Sequence, residues 1–366
     1  MNPALDDRIV LTLDAGGTNF KFSAIRGNKE ATTPFSLPSN ADHLERCLDT
    51  VVTGFTRLTS SLPTAPVAIS FAFPGPTDYR NGIIGDLGNL PSFRGGVALG
   101  PMLKDRFGVP VFINNDGDLF GYGEAIAGFL PWVNEQLAAA GNPKQFRNLI
   151  GLTLGTGFGG AVVTNGRLLS GDNGASAEIW SLRNRLDPET TAEEGASIRA
   201  VQRVYARETQ DKSNLSLSPK DIAEIAYGRR AGHQDAARMA WSELGRVVGD
   251  AAAHITCVID GLVVIGGGLS GAAPLFMPAV VQEMNATLRH HGQATARMEL
   301  KSYNLEDAQD FKAFIAGHSR QVPVPGGARN VPYDPDKRIG VGISKLGTSH
   351  AVALGAYAFA LNALDG

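Results

Sequence analysis

The residues best suited to chemistry in this 366-residue chain lie where runs of β-forming residues give way to glycines. Asp14 closes one such run and is followed by Ala15, Gly16, Gly17 and Thr18. Glycines let backbone N–H groups approach an anion, and the Thr18 hydroxyl can donate as well, so this turn could hold a phosphate. Asp14 has no basic neighbour in the turn and could hold a hydrated Mg²⁺ near phosphate oxygens. A plain hairpin turn explains the same residues equally well.

A second carboxylate, Asp116, follows the strand-like run 111–113 in the string Asn114-Asn115-Asp116-Gly117-Asp118. Side chains at such strand ends face the crevice of an open α/β sheet. Asp116 could accept a hydroxyl proton while the Asn115 amide orients the alcohol, which is the positioning that phosphoryl transfer requires. The alternative is helix capping, with Asp118 as the N-cap.

Residues 155–160, which contain Gly155, Thr156 and Gly157, satisfy the spacing G-x-G-x-x-G. A dinucleotide fingerprint requires a helix to begin at these glycines. Residues 161–164 are instead β-forming and run into Asn-Gly, which predicts a hairpin. We therefore favour a second phosphate-binding turn over a dinucleotide site.

Gly267 and Gly268 follow the apolar run 262–265 at another predicted strand end. They would form a flat backbone surface on which a planar base could stack. A bare glycine turn is an equal alternative.

The elements that must position these residues alternate between strands and helices, which favours an α/β layered fold. Residues 8–25 and 149–163 each predict a strand, a glycine turn and another strand, a faint internal duplication. The apolar, alanine-rich tail from 348 to 364 predicts a helix that packs back on the first domain. Residues 300–345 are rich in Pro, Gly and charge and predict long loops or an insertion.

Bulk composition excludes several classes of protein. A net charge of -3, without a basic block, argues against nucleic acid and membrane surfaces as partners. Cys47 and Cys257 are the only cysteines, so the sequence predicts a reducing compartment with neither disulfides nor a Cys-rich metal site. The uncharged stretch 262–281 has spanning length, but its glycines and prolines would break a lipid-exposed helix. With no export signal visible, we expect a cytoplasmic protein.

Taken in order, the turns at 14–18, 155–157 and 266–268, together with Phe73-Pro-Gly-Pro76 and Asn115-Asp116, resemble the ROK family of bacterial sugar kinases. The resemblance implies a two-domain actin-, Hsp70- and hexokinase-like α/β fold, with a mixed sheet flanked by helices in each domain and a cleft between them. The domains would be 1–115, joined by the helix 348–366, and 116–347. It further implies ATP and Mg²⁺ as cofactors, a sugar substrate and a homodimer.

By this resemblance Asp116 matches the family's catalytic aspartate, and four residues match its sugar contacts: Asn89, Asn115, Glu178 and Glu193. Gly16, Gly17, Thr18, Gly155, Thr156, Gly157, Gly267 and Gly268 would bind ATP, with Asp14 on Mg²⁺ through water. Without this resemblance, a single glutamate such as Glu178 would be interpreted as a surface charge exposed to solvent.

The chain also departs from the family. Its E-x-G-H element is replaced by Glu178-Ile-Trp180-Ser181, and the cysteine-rich zinc loop is missing, so we expect no structural zinc. The histidine of that element contacts the sugar in the family, and losing a polar contact changes which sugar is preferred. We therefore do not assume that glucose is the substrate.

The leading interpretation is ATP-dependent phosphorylation of the 6-OH of a hexose or hexose derivative, with Asp116 as general base. One alternative is a catalytically silent sugar-binding or sugar-sensing protein of the same family. A transcription factor would need a DNA-binding domain before the first strand near Arg8, where the sequence leaves no room. An ATP-using relative acting on an acid or amide also stays open, because fold alone does not fix chemistry.

Overall fold

The structure is a computed structural model that describes residues 3–75, 77–86 and 92–366. The chain divides into two compact units. The first unit comprises residues 1–128, 166–176 and 346–366, and the second comprises 129–165 and 177–345.

Strands and helices are numbered along the whole chain. Those of the first unit are β1 (Val10–Ala15), β2 (Asn19–Arg26), β3 (Lys29–Glu30), β4 (Phe35–Pro38), α1 (Leu44–Ser61), β5 (Ala68–Ala72), β6 (Thr77–Asp78), β7 (Ile83–Ile84), α2 (Leu99–Phe107), β8 (Val111–Asn114), α3 (Asp116–Ile126), β11 (Arg167–Leu168) and α11 (Thr348–Leu364).

The sheet of the first unit has the strand order β3-β2-β1-β5-β8, with β4 also paired to β2. Strands β1 and β2 form the antiparallel hairpin predicted for residues 8–25, and β5 and β8 continue the sheet in parallel with β1. Because successive side chains along a strand point to opposite sides of the sheet, the hairpin has two different faces. Leu11, Leu13, Phe20 and Phe22 pack in the core with α1, whereas Val10 and Ile25 pack against α11.

Helix α11 has the bounds that the sequence predicts and is held against α3 by glycines. A Cβ on Gly355 would overlap the Leu119 carbonyl, and a Cβ on Gly123 would overlap that of Ala351. This close approach keeps α3 in the first unit. The predicted boundary at residue 115 therefore differs from the observed division after Gly128.

The elements of the second unit are α4 (Phe129–Ala139), β9 (Asn148–Leu154), β10 (Phe158–Thr164), α5 (Ala192–Gly195), α6 (Ile198–Thr209), α7 (Pro219–Ala226), α8 (Gln234–Ile259), β12 (Leu262–Gly266), α9 (Ala273–Met284), β13 (Thr287–His290), β14 (Gln293–Ala296), β15 (Lys301–Asn304), α10 (Ala308–Ala316), β16 (Arg320–Pro323), β17 (Asn330–Tyr333) and β18 (Arg338–Ile343).

The sheet of the second unit repeats the arrangement of the first. Strands β10 and β9 form an antiparallel hairpin, and β12, β18 and β15 follow in parallel. Helices α6, α7, α8 and α9 cover it around Trp241 and Phe276. The duplication read from two short motifs is therefore a repeat of whole sheets.

Residues 300–345 are more regular than their composition suggests. Strands β15 and β18 belong to the main sheet of the second unit, and α10 lies between them in sequence. The exposed β16–β17 hairpin is the part that resembles an insertion. Within the described residues, no helix combines the length and apolar character needed to cross a bilayer, including the stretch 262–281.

Candidate active site

The first glycine turn joins β1 to β2 and is fixed from outside by Ser39. The Ser39 hydroxyl donates to the Gly17 carbonyl at 2.6 Å, and its backbone N–H donates to the Thr18 carbonyl at 2.9 Å. A Cβ on Gly16 would lie only 2.8 Å from the Asn19 carbonyl oxygen, so the tight path of the chain requires glycine there. The turn is thus preorganised next to Asp14.

Asp116 is the first residue of α3, directly after β8. The N-cap is Asn115, whose Oδ1 accepts from the Gly117 N–H at 2.7 Å, and the Asp116 carboxylate accepts from the same N–H at 2.8 Å. Asp118 lies inside the first turn, so the capping role considered for it is wrong. The Asn115 amide also donates to the Tyr79 hydroxyl at 3.4 Å.

Asp14 and Asp116 meet at one cavity of about 130 Å³, which is also lined by Phe73, Ser349 and Val352. Burial raises the pKa of Asp14, Lys21 opposes this shift, and the negative charge of Asp116 adds to it. The Asp14 side chain itself is open to solvent, although protein surrounds it closely enough to remove part of its hydration. Two carboxylates in electrostatic contact at the end of one sheet suit a site that handles cations or protons.

The same cavity fits a hydrated Mg²⁺. Carboxylate oxygens are the ligands this hard cation prefers, and Mg²⁺ keeps several of its waters in protein sites. In the described part of the chain, no three His, Cys, Asp or Glu side chains gather as a metal-binding group. Asp14 is therefore better suited to a water-mediated contact than to a closed protein cage.

The second glycine turn lies between β9 and β10 and is held by Glu193 and Arg199. The Phe158 N–H donates to the Glu193 carboxylate at 3.1 Å. Arg199 donates to the other Glu193 oxygen and to the Thr156 carbonyl, both at 3.3 Å. A Cβ on Gly157 would lie 2.7 Å from Glu193. Glu193, assigned to sugar by resemblance, thus contacts the turn assigned to phosphate.

Gly267 and Gly268 lie beside the end of β9. Gly267 has a left-handed φ of 87°, and a Cβ there would overlap the Leu154 backbone. The Leu269 N–H donates to the Leu154 carbonyl at 3.1 Å, and this places the turn next to Gly155. A Cβ on Gly268 would meet no atom within 4 Å, so this glycine presents open backbone. The structure thus brings the two glycine turns of the second unit together.

Glu178 and Trp180 form a separate pair at the surface of the second unit. The Trp180 indole N–H donates to the Glu178 carboxylate, and the Trp180 side chain is 43% exposed. The flanking Ala177 and Ile179 pack on Gly160 of β10. Asn89, the remaining predicted sugar contact, lies outside the described residues.

Two basic residues near the turns were not singled out from the sequence. Lys21 is paired in register with Asp14 across the hairpin, and counting outward from a glycine turn could have found it. Arg199 follows Glu193 by six residues, and no local pattern marks its contact with Thr156.

The two α/β units, each built on a hairpin followed by parallel strands with glycine turns at the strand ends, define a hexokinase-like fold. The sequence model of the ROK family matches residues 10–310, and the chain belongs to that family. The family and fold predicted from the sequence are confirmed.

Several characterised proteins are similar to this chain. A solved glucokinase structure from Parabacteroides distasonis is 55% identical, covers 99% of both chains and superposes with a TM-score of 0.89. The glucokinase of Thermotoga maritima is 28% identical over 73% of this chain and 84% of its own. The N-acetyl-D-glucosamine kinase of Photobacterium profundum is 29% identical over 48% of this chain and 52% of its own.

Proposed function

We propose that this protein transfers the γ-phosphoryl group of ATP to the 6-OH of a hexose or hexose derivative, with Asp116 as the general base. The observation that carries the proposal is the shared cavity of Asp116 and Asp14 beside the first glycine turn. At the coarser level the chain is a sugar kinase, since the similar proteins described above are named glucokinase and N-acetyl-D-glucosamine kinase.

In the proposed reaction Asp116 accepts the proton of the sugar hydroxyl. The sugar oxygen then bonds to the γ-phosphorus while the bond from that phosphorus to the β–γ bridging oxygen breaks, so that ADP leaves with the bridging oxygen. The position of Asp116 at the N-terminus of α3 holds its carboxylate at a fixed angle through the Gly117 N–H. Positioning of this kind is the main contribution a protein makes to phosphoryl transfer.

The glycine turns supply the proposed phosphate contacts. Gly16, Gly17 and Thr18 of the first turn are proposed to contact phosphate oxygens. Gly155, Thr156 and Gly157 are proposed phosphate contacts as well, and Gly267 and Gly268 are proposed to contact the base. Asp14 would hold Mg²⁺ through water, and the ion when bound would neutralise charge that develops on the phosphates.

Asn115, Glu178 and Glu193, together with Asn89, remain the proposed sugar contacts. Trp180 donates to one Glu178 oxygen and restricts how that carboxylate can face a sugar. A pocket that reads hydroxyl groups discriminates strongly when one polar contact changes. We therefore propose that Trp180 shifts sugar preference, and we keep the homodimer and the cytoplasmic location as predictions.

The base is tested by Asp116→Asn, which keeps the size and the helix position of the side chain. We expect turnover to fall by at least about 100-fold, the usual contribution of a general base, with ATP affinity retained. Asp118→Asn removes a carboxylate two residues away and serves as the matched control. Near-normal turnover in Asp116→Asn would overturn the assignment.

The substrate is tested by ADP release across hexoses, N-acetylhexosamines and polyols. Turnover with one class identifies the acceptor, and NMR of the product locates the phosphate. If no sugar releases ADP but some sugars bind, the protein is the silent sugar-binding alternative.

A further inference from the structure

A large cavity lies at the edge of the second unit's sheet opposite to its glycine turns. Its volume is about 710 Å³, within the size range of small-molecule sites. Asn148 at the start of β9 and Arg338 at the start of β18 line it, whereas the glycine turns follow the ends of β9 and β12. The proposed phosphoryl transfer uses no residue of this lining, so the cavity requires an explanation of its own.

Two cations of this lining have no carboxylate bound to them. Lys144 donates to the neutral Asp336 carbonyl at 2.6 Å and forms no ion pair with any described residue. Burial lowers the pKa of Lys144, the positive charge of Arg338 adds to this shift, and nearby carboxylates such as Asp334 oppose it through space. Arg147 is exposed, and its side chain makes no hydrogen bond or ion pair in the described part of the chain. An ammonium group that has lost hydration without gaining a counterion is stabilised by an anionic ligand.

A buried hydroxyl group of the same lining also lacks a partner. Thr256 of α8 is fully buried, and its Oγ1 forms no hydrogen bond with any described residue. Most buried polar side chains in folded proteins are hydrogen-bonded, because an unsatisfied group costs free energy. A polar ligand in the cavity would supply the missing bond.

The remaining lining residues indicate what the anion would be attached to. Asp260, Gln145 and Asn165 are exposed, and their side chains form no hydrogen bond within the residues that the structure describes. Carboxylate and amide oxygens accept hydrogen bonds from hydroxyl groups, and an amide N–H₂ donates to them. Phe146 and Met298 add apolar area to the lining, against which C–H groups can pack. This combination suits a molecule with several hydroxyl groups.

We infer that this cavity binds a phosphorylated polyol, with the phosphate group on Lys144 and Arg147 and a hydroxyl group on Asp260. A phosphate monoester carries a charge of about −1.5 to −2 at pH 7, which two unpaired cations match, whereas a carboxylate would leave one of them without a partner. Lys337 and Glu299 pair with each other at 2.6 Å and so leave this balance unchanged. The inference does not depend on the proposed function, because it involves none of the residues assigned to phosphoryl transfer.

The test measures the affinity for sorbitol 6-phosphate by calorimetry in wild type, Lys144→Met, Arg147→Met and Lys212→Met. We expect wild type to bind it and the first two variants to weaken binding by about 10- to 100-fold, the range for a hydrogen bond between charged groups. Lys212 is an exposed lysine of the same unit that lies outside the lining, so Lys212→Met is the matched control and should bind like wild type. Because Arg147 is exposed and unpaired among the described residues, Arg147→Met should fold even if Lys144→Met does not.

Thr256→Val separates a ligand contact from a structural role, since it keeps the shape of the side chain and removes only the hydroxyl group. We expect it to weaken sorbitol 6-phosphate binding about tenfold without lowering the thermal midpoint of the free protein, where this hydroxyl has no described partner. A lower midpoint with unchanged affinity would contradict its role in binding.

Inorganic phosphate and sorbitol test the two halves of the ligand separately. Each should bind at least about tenfold more weakly than sorbitol 6-phosphate, because each makes only part of the contacts. Inorganic phosphate that binds as tightly as sorbitol 6-phosphate would overturn the assignment of a polyol. Absence of sorbitol 6-phosphate binding in wild type, or equal affinity in Arg147→Met and Lys212→Met, would overturn the inference as a whole.

Discussion

The proposed chemistry depends on a few side chains whose contacts are local. Asp116 takes its orientation from the Gly117 N–H, and Asn115 caps the same helix while its amide reaches Tyr79. Because these residues are consecutive, a strand end followed by Asn-Asp was enough to predict where the Asp116 carboxylate would lie. The pairing of Lys21 with Asp14 is equally local, since the hairpin fixes it.

Glu193 was assigned to sugar binding by resemblance, but its contacts in the structure are with the second glycine turn and Arg199. Its carboxylate accepts a hydrogen bond from the Phe158 N–H and forms an ion pair with Arg199. Glu193 therefore stabilises the second glycine turn. We expect Glu193→Ala to raise the KM for ATP about tenfold, the cost of one hydrogen bond to a charged group. Steady-state kinetics that vary ATP and sugar separately would measure this.

Glu193→Gln keeps an oxygen acceptor for Phe158 and should show a smaller rise. Glu194→Ala alters the neighbouring carboxylate, which pairs mainly with Arg203, and provides the control. A change in the KM for sugar alone would assign Glu193 to the sugar and contradict a role in the turn.

The sequence could not reveal the contact between Glu193 and Phe158. The two residues are separated by 35 positions and lie in elements that only the fold brings together. The same holds for the pairing of Trp180 with Glu178, since spacing by two residues does not predict which way an indole turns.

At the scale of elements, the hairpins and the long helices were predictable because their periodicity is strong. Residues 300–345 were not, because β15 has only four residues and an exposed hairpin interrupts the path to β18. Parallel strands in a sheet pair across long stretches of chain, so their partners cannot be inferred from local composition. The alanine-rich α11 and the helix that follows Asn115 were both recognised, but the sequence did not show that the two helices pack against each other.

The crossing of α3 and α11 depends on Gly123 and Gly355. A Cβ at Gly355 would overlap a backbone carbonyl, which cannot move aside as a side chain can. We expect Gly355→Ala to lower the free energy of unfolding by about 1–3 kcal/mol, the usual cost of overpacking a close contact. Chemical denaturation followed by fluorescence would measure the loss.

Gly271→Ala is the matched control, because a Cβ there would meet no atom within 4 Å and its φ is not left-handed. It should shift stability by no more than about 0.5 kcal/mol. A Gly355→Ala protein as stable as this control would show that the helices are not in close contact.

At the scale of the whole molecule, each unit has its own sheet and its own core. The repeated order of a hairpin followed by parallel strands explains why two glycine turns recur with similar flanking sequences. The second unit also contains a buried ion pair between Asp334 and Arg338, 2.7 Å apart, with side chains only 2% and 1% exposed. Asn142 donates to Asp334 at 2.9 Å, and Arg338 donates to the Phe314 carbonyl at 2.7 Å.

This network joins the loop after α4, the end of α10 and the start of β18. Burial by itself would raise the pKa of Asp334, but hydrogen bonds from Arg338, Asn142 and the Asp336 N–H outweigh it and hold the pKa well below its ordinary value. The folded state therefore binds this proton more weakly than the unfolded chain, whose aspartates titrate near 3.9. The pair stabilises the fold above about pH 4, and this contribution is lost as the pH falls further.

Asp334→Asn tests the network through its dependence on pH. At pH 7 we expect the substitution to cost up to about 3–5 kcal/mol, because it removes the nearer carboxylate from the buried Arg338 charge and leaves only Asp336, 3.6 Å away. Denaturation at pH 7 and at pH 3 should show that the difference in unfolding free energy between wild type and variant is smaller at pH 3. At that pH the Asp334 carboxylate of the unfolded wild-type chain binds a proton, which favours unfolding, while the folded state keeps its charge. Asp235→Asn, at a fully exposed side chain, should match wild type at both values. If the difference in unfolding free energy between wild type and Asp334→Asn stays constant or grows at pH 3, Asp334 contributes through packing and not through its charge.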